Sequence, residues 1–375
     1  MEGTGGRVDL ELSEDQAFLV QTVRRFLATE YPIPVVRSLA EDPSGFPPDY
    51  WKQAADLGWT SMLVPEADGG GSLSRHGLLD LVLVAEEMGR LVAPGPLVPV
   101  NVVAAALARS GSPGHRAAVL PGLLAGETVA AWCGTTPVDA DVRGGSFVLT
   151  GTVAPVEAGA QADHLLAAVR IGEGLTQVLV DSGAPGVEVV PMDSLDLVRR
   201  FAAVRFDGAV VPTSGVVGTV GGAAAELERQ LQIACVLQCA ETVGAIERVF
   251  EMTLGYLGDR WSFGRPLSSY QALKHRVADD KMWLEACHAV ATAAARAVAA
   301  GDPDAAELVS AAKAWIGPHA TELIQDCVQL HGGIGVTWDH DLHLYLRRAT
   351  VNRLTHGTPG DHAERIATRL LGEAS

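Results

Sequence analysis

The sequence of 375 residues predicts an α+β chain, helical first, then β-rich, then helical again. Three observations predict that order. Apolar residues recur at spacings of three and four in residues 13–125, short β-branched runs fill 126–214, and Ala-rich amphipathic stretches return from 222 onward. The expected domains are 1–125 (helical), 126–215 (an antiparallel barrel or sandwich) and 216–375 (a helical bundle). One hydrophobic core rarely serves a chain of this length.

Ser13-Glu14-Asp15-Gln16 offers an N-cap with acids in the first turn, ahead of Phe18, Val20, Val23 and Phe26-Leu27 at helical spacing. The run GLLDLVLVAEEMGRLV repeats that period and closes at Pro94-Gly95-Pro96. Strands are expected in FVLTGTVAPV, HLLAAVRI, TQVLVDS, GVEVVPM and AAVRFDGAVVP, each bounded by turn-forming residues. The C-terminal helical text breaks at 259–270, 301–303, 332–340 and 357–360.

Composition narrows the class. Apolar residues make up 48% and charged residues 19%, which favours a packed core over disorder. No run of eighteen uncharged apolar residues occurs, so no membrane span is expected. The opening MEGTGGRVDLELSED lacks a basic segment followed by an apolar one, so no secretory signal is expected. Five cysteines lack paired CxxC spacing, and three of them lie in Ala/Leu-rich helical contexts where a reduced thiol behaves as a small hydrophobe, so no metal site and a cytoplasmic location are expected. A net charge of −17 argues against a nucleic-acid partner.

Two stretches carry chemistry. In GDRWSFGRPLSSYQALKHRVAD, Arg260 and Phe263 lie in a Gly/Pro-bounded loop and Gln271 opens the next helix, an arrangement suited to a phosphate. In QLHGGIGVTWDHDLHLYLRRA, Gln329 is followed by Gly332 and Gly333, whose backbone a ligand can approach closely. Arg199-Arg200 reads either as a phosphate contact or as surface. Near the end, His356 precedes the turn Gly357-Thr358-Pro359.

R-x-x-F-G with a later Gln, followed some sixty residues on by Q-x-x-G-G-x-G, resembles the acyl-CoA dehydrogenase family. LSEDQAFLVQTVRRFLA, DLGWTSMLVPEADGGG, AEEMGRLVAPGP, QADHLLAAVR and VRFDGAVVP resemble family segments in family order. The resemblance covers about residues 10–372. It implies a C-terminal four-helix domain, FAD bound across a subunit interface, an acyl-CoA substrate and an electron-transfer flavoprotein as acceptor. It also implies that Arg260, Phe263, Gln271, Gln329, Gly332 and Gly333 face the ADP half of a flavin shared with a neighbouring subunit. Thr358 would lie near that flavin, and Thr135 would meet its ring.

The sequence also departs from the family pattern. His356 stands where a glutamate usually removes the substrate α-proton; a neutral imidazole can act as a base. Glu241, on the helix where some relatives place the base, lies off the apolar stripe Cys235, Cys239, Val243, Ile246, Phe250, Leu254 and Leu257. It reads either as a base beside ligand space, with a raised pKa in a dry site, or as a solvent-facing carboxylate. The family's Gly-Ser-Asp is replaced by VDADVRGG, and its Trp-Ile-Thr by Pro155-Val156-Glu157. The resulting expectation is an FAD-dependent acyl-CoA dehydrogenase, as a homotetramer or half of an α2β2 assembly of the kind that acts on steroid side chains. The alternative is a non-catalytic subunit that completes the flavin site of a second family member; a third is oxidation of a carrier-bound acyl group.

Overall fold

A computed structural model describes residues 12–373. The reading of the first eleven residues lies outside the described part. The N-terminal helices are α1 (Glu14–Glu30), α2 (Ile33–Ser38), α3 (Pro48–Asp56), α4 (Gly77–Arg90), α5 (Leu97–Ser110), α6 (Pro113–Ala118) and α7 (Leu120–Leu124). Ser13 caps α1 as its sequence predicts: its hydroxyl accepts from the Gln16 amide while the Gln16 side chain reaches back to the Ser13 amide.

Seven strands form one sheet in the order β5-β6-β2-β1-β3-β4-β7. They are β1 (Ala130–Arg143), β2 (Ser146–Glu157), β3 (His164–Ile171), β4 (Gly174–Asp181), β5 (Val187–Met192), β6 (Phe201–Pro212) and β7 (Val216–Val217). Gly144 and Gly145, both at positive φ, turn β1 back onto β2 in a two-residue hairpin. After β2 the chain crosses to the other edge of β1. β3 therefore runs parallel to β1, and the remaining pairs are antiparallel.

The C-terminal part is built on α8 (Ala224–Asp259), a 36-residue helix, with α9 (Gln271–Ala300) and α10 (Ala305–His331) packed beside it. A short hairpin, β8 (Trp261–Ser262) and β9 (Arg265–Pro266), joins α8 to α9; α11 (Leu342–Leu354) and α12 (Pro359–Glu373) complete the group. Between Ile233 and Ile246, α8 is buried on every side, not along one stripe. The further face is taken by α4. A Cβ on Gly89 would stand 1.9 Å from the Glu241 carbonyl oxygen, and one on Gly244 would stand 1.9 Å from that of Glu86. Two facing glycines thus bring the helix backbones into direct contact. Leu254, counted on the sequence stripe, lies exposed. All five cysteines are free and buried. No described helix is long and apolar enough to cross a membrane.

Candidate functional site

Glu241 projects from the buried centre of α8 into a cluster of charges. Both of its oxygens accept from Arg199 Nη2 at 2.7 Å, Oε1 accepts from Arg348 Nη1 at 2.6 Å, and Oε2 accepts from Asn352 Nδ2 at 2.8 Å. Arg348, on α11, also donates to Asp196 and to the carbonyls of Val92 and Ala93. Burial alone would raise the Glu241 pKa, but the two arginines and Asn352 outweigh it and hold the carboxyl below its usual range. Asp196 is likewise held at about 2, mainly by Arg348 working against burial. Both sequence-based readings of Glu241 are therefore corrected. It is neither solvent-facing nor a carboxylate beside ligand space with a raised pKa, because three side chains saturate it. Arg199 and Arg200 are corrected as well. Arg199 is buried in this cluster, and Arg200 turns the opposite way to donate to the carbonyls of Leu39, Ala40 and Asp42.

A cavity of about 600 Å³ opens beside the N-terminal end of α8. Leu227, Leu231, Pro99, Phe201, Trp132 and Thr135 are among its walls. Glu157, the last residue of β2, also lines it and is 7% exposed. Its Oε1 lies 3.3 Å from Arg199 Nε, whereas Oε2 has no partner. Burial pushes the Glu157 pKa up, and Arg199, committed elsewhere, reverses this only in part.

Trp132 is a wall that sequence reasoning missed. Its Nε1 donates to Gln230 Oε1 at 2.8 Å, and Gln230 is paired with Gln177 on β4. The indole folds back over its own strand: a Cβ on Gly134 would stand 2.2 Å from the ring nitrogen. The cavity thus has an indole, though not at position 155. The available signal was the tryptophan two residues ahead of a glycine in AWCGTTP.

His356 faces the same cavity in the left-handed backbone region, φ +59°, with its ring 5.5 Å from that of Trp132. Neither ring nitrogen has a partner. Burial, and then the charges of Lys313 and Arg199, push its pKa down to about 3, so the imidazole is neutral near pH 7. Its backbone is fixed from behind. The His356 carbonyl accepts from His362 Nε2 at 3.0 Å, and Lys313 Nζ donates to the carbonyls of Asn352 and Thr355 at 2.7 and 2.8 Å. Gly357, φ +101°, leaves room for the His362 ring, which a Cβ would meet at 2.8 Å.

His362 makes a pH prediction. Burial, against the opposing hydrogen bond to the His356 carbonyl, lowers its pKa to about 4. The folded chain therefore binds this proton less readily than the unfolded chain, whose histidine titrates near 6.5. The stabilisation is complete above about pH 6.5 and is lost as pH falls toward 4, at roughly 1.4 kcal/mol per pH unit at most. Denaturant midpoints at pH 7 and pH 5 should fall less for His362→Gln than for the wild type. Equal slopes would remove His362 as the cause.

The expected cofactor-facing residues form two separate groups. Thr135 and Thr358 stand with the cavity or beside it, and the Thr358 amide and hydroxyl are both taken by Asp361 at 2.8 Å. Arg260, Phe263 and Gln271 gather at the far end of α8, where Tyr270 donates to the Ser262 carbonyl. Gln329, Gly332 and Gly333 end α10 at the same place, with His331 stacked 4.5 Å from Tyr256. Phe263 is 96% exposed, and a Cβ on Gly332 or Gly333 would meet nothing within 4 Å. Between Leu231, at the cavity, and Arg260 run 29 residues, roughly 40 Å of helix at 1.5 Å per residue.

Residues 13–127 match the model described as acyl-CoA dehydrogenase, N-terminal domain, and residues 222–371 match acyl-CoA dehydrogenase, C-terminal domain. The acyl-CoA dehydrogenase IpdE2 of Mycolicibacterium smegmatis is 30% identical across 96% of this chain and 100% of its own length. This chain belongs to the acyl-CoA dehydrogenase family. The crystal structure of the ChsE4-ChsE5 complex from Mycobacterium tuberculosis superposes with a TM-score of 0.88 at 27% identity, covering 97% of this chain and 99% of that one. A glutaryl-CoA dehydrogenase from Mycobacterium smegmatis in complex with FADH2, 21% identical, shares the fold at a TM-score of 0.86 over 97% of this chain and 96% of its own. Within this family's frame, the cavity and the Arg260 end are where the residues expected to face a cofactor lie.

Proposed function

We propose that the chain works as one subunit of a heteromeric, FAD-dependent acyl-CoA dehydrogenase and completes the flavin site of a second family member. The roughly 40 Å between its cavity and its Arg260 end carries this reading. A flavin lying in the cavity is too distant to be reached by Arg260, Phe263, Gln271, Gln329 or Gly333 of the same chain. Those residues are open to solvent, and the Arg260 guanidinium has no ion pair among the described residues. They fit an ADP moiety presented by another subunit. The similarity to one chain of a two-protein complex supports a heteromer.

The chain's own cavity fits a flavin poorly. Three carboxylates line it, Glu157, Glu228 and Asp361, and its one cation, Arg365, is held by Glu228 at 2.6 Å. A pyrophosphate there would find no free cation on the cavity wall, Arg365 being engaged by Glu228, and Asp361 already occupies the amide at the start of α12. At the Arg260 end the fit is favourable: Arg260 pairs with phosphate, Gln271 and Gln329 bond to polar groups, and Gly332-Gly333 admits close backbone approach. The flavin of such a site supplies hydride acceptance, while this chain's residues bind and orient its nucleotide half.

Glu241 stands in this reading as the centre of the interdomain charge cluster and not as the base. Arg260→Ala removes a charge-assisted phosphate contact, so flavin retained by the assembled oligomer should fall about tenfold or more. The check is flavin absorbance per subunit after gel filtration of the co-purified complex, and retention equal to wild type would defeat the assignment.

A further inference from the structure

Glu86 on α4, Glu247 on α8 and His288 on α9 converge, each offering one ligand atom within 4.8 Å of the other two. The three side chains keep access to solvent, at 24%, 33% and 30% exposure, so a small ion can reach them. Their meeting follows from backbone packing. Helices α4 and α8 touch where a Cβ on Gly244 would stand 1.9 Å from the Glu86 carbonyl oxygen. Glu247 follows Gly244 by one turn on the same face, which brings its carboxylate beside that of Glu86.

Two carboxylates so placed repel each other unless a positive charge compensates them. The carboxylates around them have cations of their own: Arg24 holds Glu87, Arg90 holds Glu247 and Glu251, and Lys281 holds Glu285. Glu86 has none. Its one partner within ion-pair distance, among the described residues, is His288 Nδ1 at 3.9 Å. Burial and then the charge of Glu247 push the Glu86 pKa up to about 7, the response of a carboxyl that lacks a countercharge. Burial lowers the pKa of His288, which leaves a neutral imidazole with a lone pair to offer.

We propose that Glu86, Glu247 and His288 form a binding site for a single divalent transition-metal ion of the zinc class, which ties α4 to α8 and α9. A donor set of two carboxylates and an imidazole, without sulfur, suits such an ion better than a soft one, and Mg²⁺ or Ca²⁺ would want more oxygens. Contraction to bond lengths of about 2.0–2.2 Å falls to side-chain rotation, which these part-exposed groups retain, and a fourth position is left to water. The ion's charge stands where Glu86 lacks a partner, and its binding displaces the proton that Glu86 otherwise holds near neutral pH. The expectation of no metal site followed from cysteine spacing, and this donor set contains no cysteine.

The test is titration of the tag-free, chelator-treated full chain at pH 7.5 with ZnCl₂, in competition with a chromophoric chelator. One equivalent should bind with a dissociation constant on the order of micromolar or tighter. Glu86→Gln and His288→Gln should each weaken binding about tenfold or more. Co²⁺ in place of zinc should give d–d absorption without a thiolate charge-transfer band, a reading that needs the wild type alone. Three results overturn the proposal: no stoichiometric binding by the wild type, a thiolate band, or zinc affinity untouched by both variants. The wild-type readings decide the matter even if a variant does not fold, and they are independent of the Arg260 flavin measurement.

Discussion

Arg348→Met is expected to lower the stability of the fold by about 3–5 kcal/mol, the cost of breaking a buried ion pair from one side. Methionine fills a similar volume, so the loss is electrostatic and not a cavity. Arg348 is 1% exposed and donates to Asp196 and Glu241 together, as well as to the carbonyls of Val92 and Ala93. Removing it leaves Asp196 without its main countercharge and Glu241 with Arg199 alone. The pKa values of the carboxyl groups now held below their usual range would rise. The stability these groups contribute above their unfolded pKa, which the wild type loses as pH falls toward the folded one, would shrink, and the variant's stability should depend less steeply on acid. Urea midpoints at pH 7.5 measure the effect. A shift below about 1 kcal/mol would mean that the cluster is not a structural unit.

Gly244→Ala is expected to destabilise by about 1–3 kcal/mol or more, although alanine is the better helix former by nearly 1 kcal/mol. A Cβ there would stand 1.9 Å from the Glu86 carbonyl oxygen, and backbone cannot swing aside as a side chain can. Helices α4 and α8 would have to separate along the contact that also seats Glu241. Gly255, on the same helix, has nothing within 4 Å of its would-be Cβ, so Gly255→Ala should stabilise by roughly 0.5–1 kcal/mol. The pair is best read as opposite shifts in thermal midpoint. A stabilising shift at both positions would show that propensity, not helix contact, governs position 244.

Much of the architecture follows from local pattern, and the exceptions have physical causes. The Ser13 cap, the five expected β-runs and the breaks in the C-terminal helices each depend on residues close in sequence. Strand β1 was harder to read, because Gly134, two threonines, Pro137, Asp139 and Asp141 resemble a loop; it is a strand because β2 and β3 pair along both its edges. Glu241 shows the limit of helical periodicity. Spacing placed it off the apolar stripe, but α8 has no free face at that level, and its partners Arg199 and Arg348 lie 42 and 107 positions away. Glu157 was legible only as a departure from the resembled pattern. That it faces a cavity, half paired, is a fact of packing. The division of the cofactor-facing residues into two groups, by contrast, could have been counted: 29 residues of one uninterrupted helix leave no other outcome.

Neighbouring side chains at the entry to β6 have a consequence for how the chain comes apart. Arg199 reaches Glu241 and Asn352 among the C-terminal helices, while Arg200 reaches the carbonyls of Leu39, Ala40 and Asp42 among the N-terminal ones. One dipeptide of the sheet is thus anchored to both helical parts, and neither anchor survives if the sheet lets go. These two anchors predict that the three stretches read from the sequence unfold as one cooperative unit. Heat or denaturant should take them apart in a single transition, with all probes coincident.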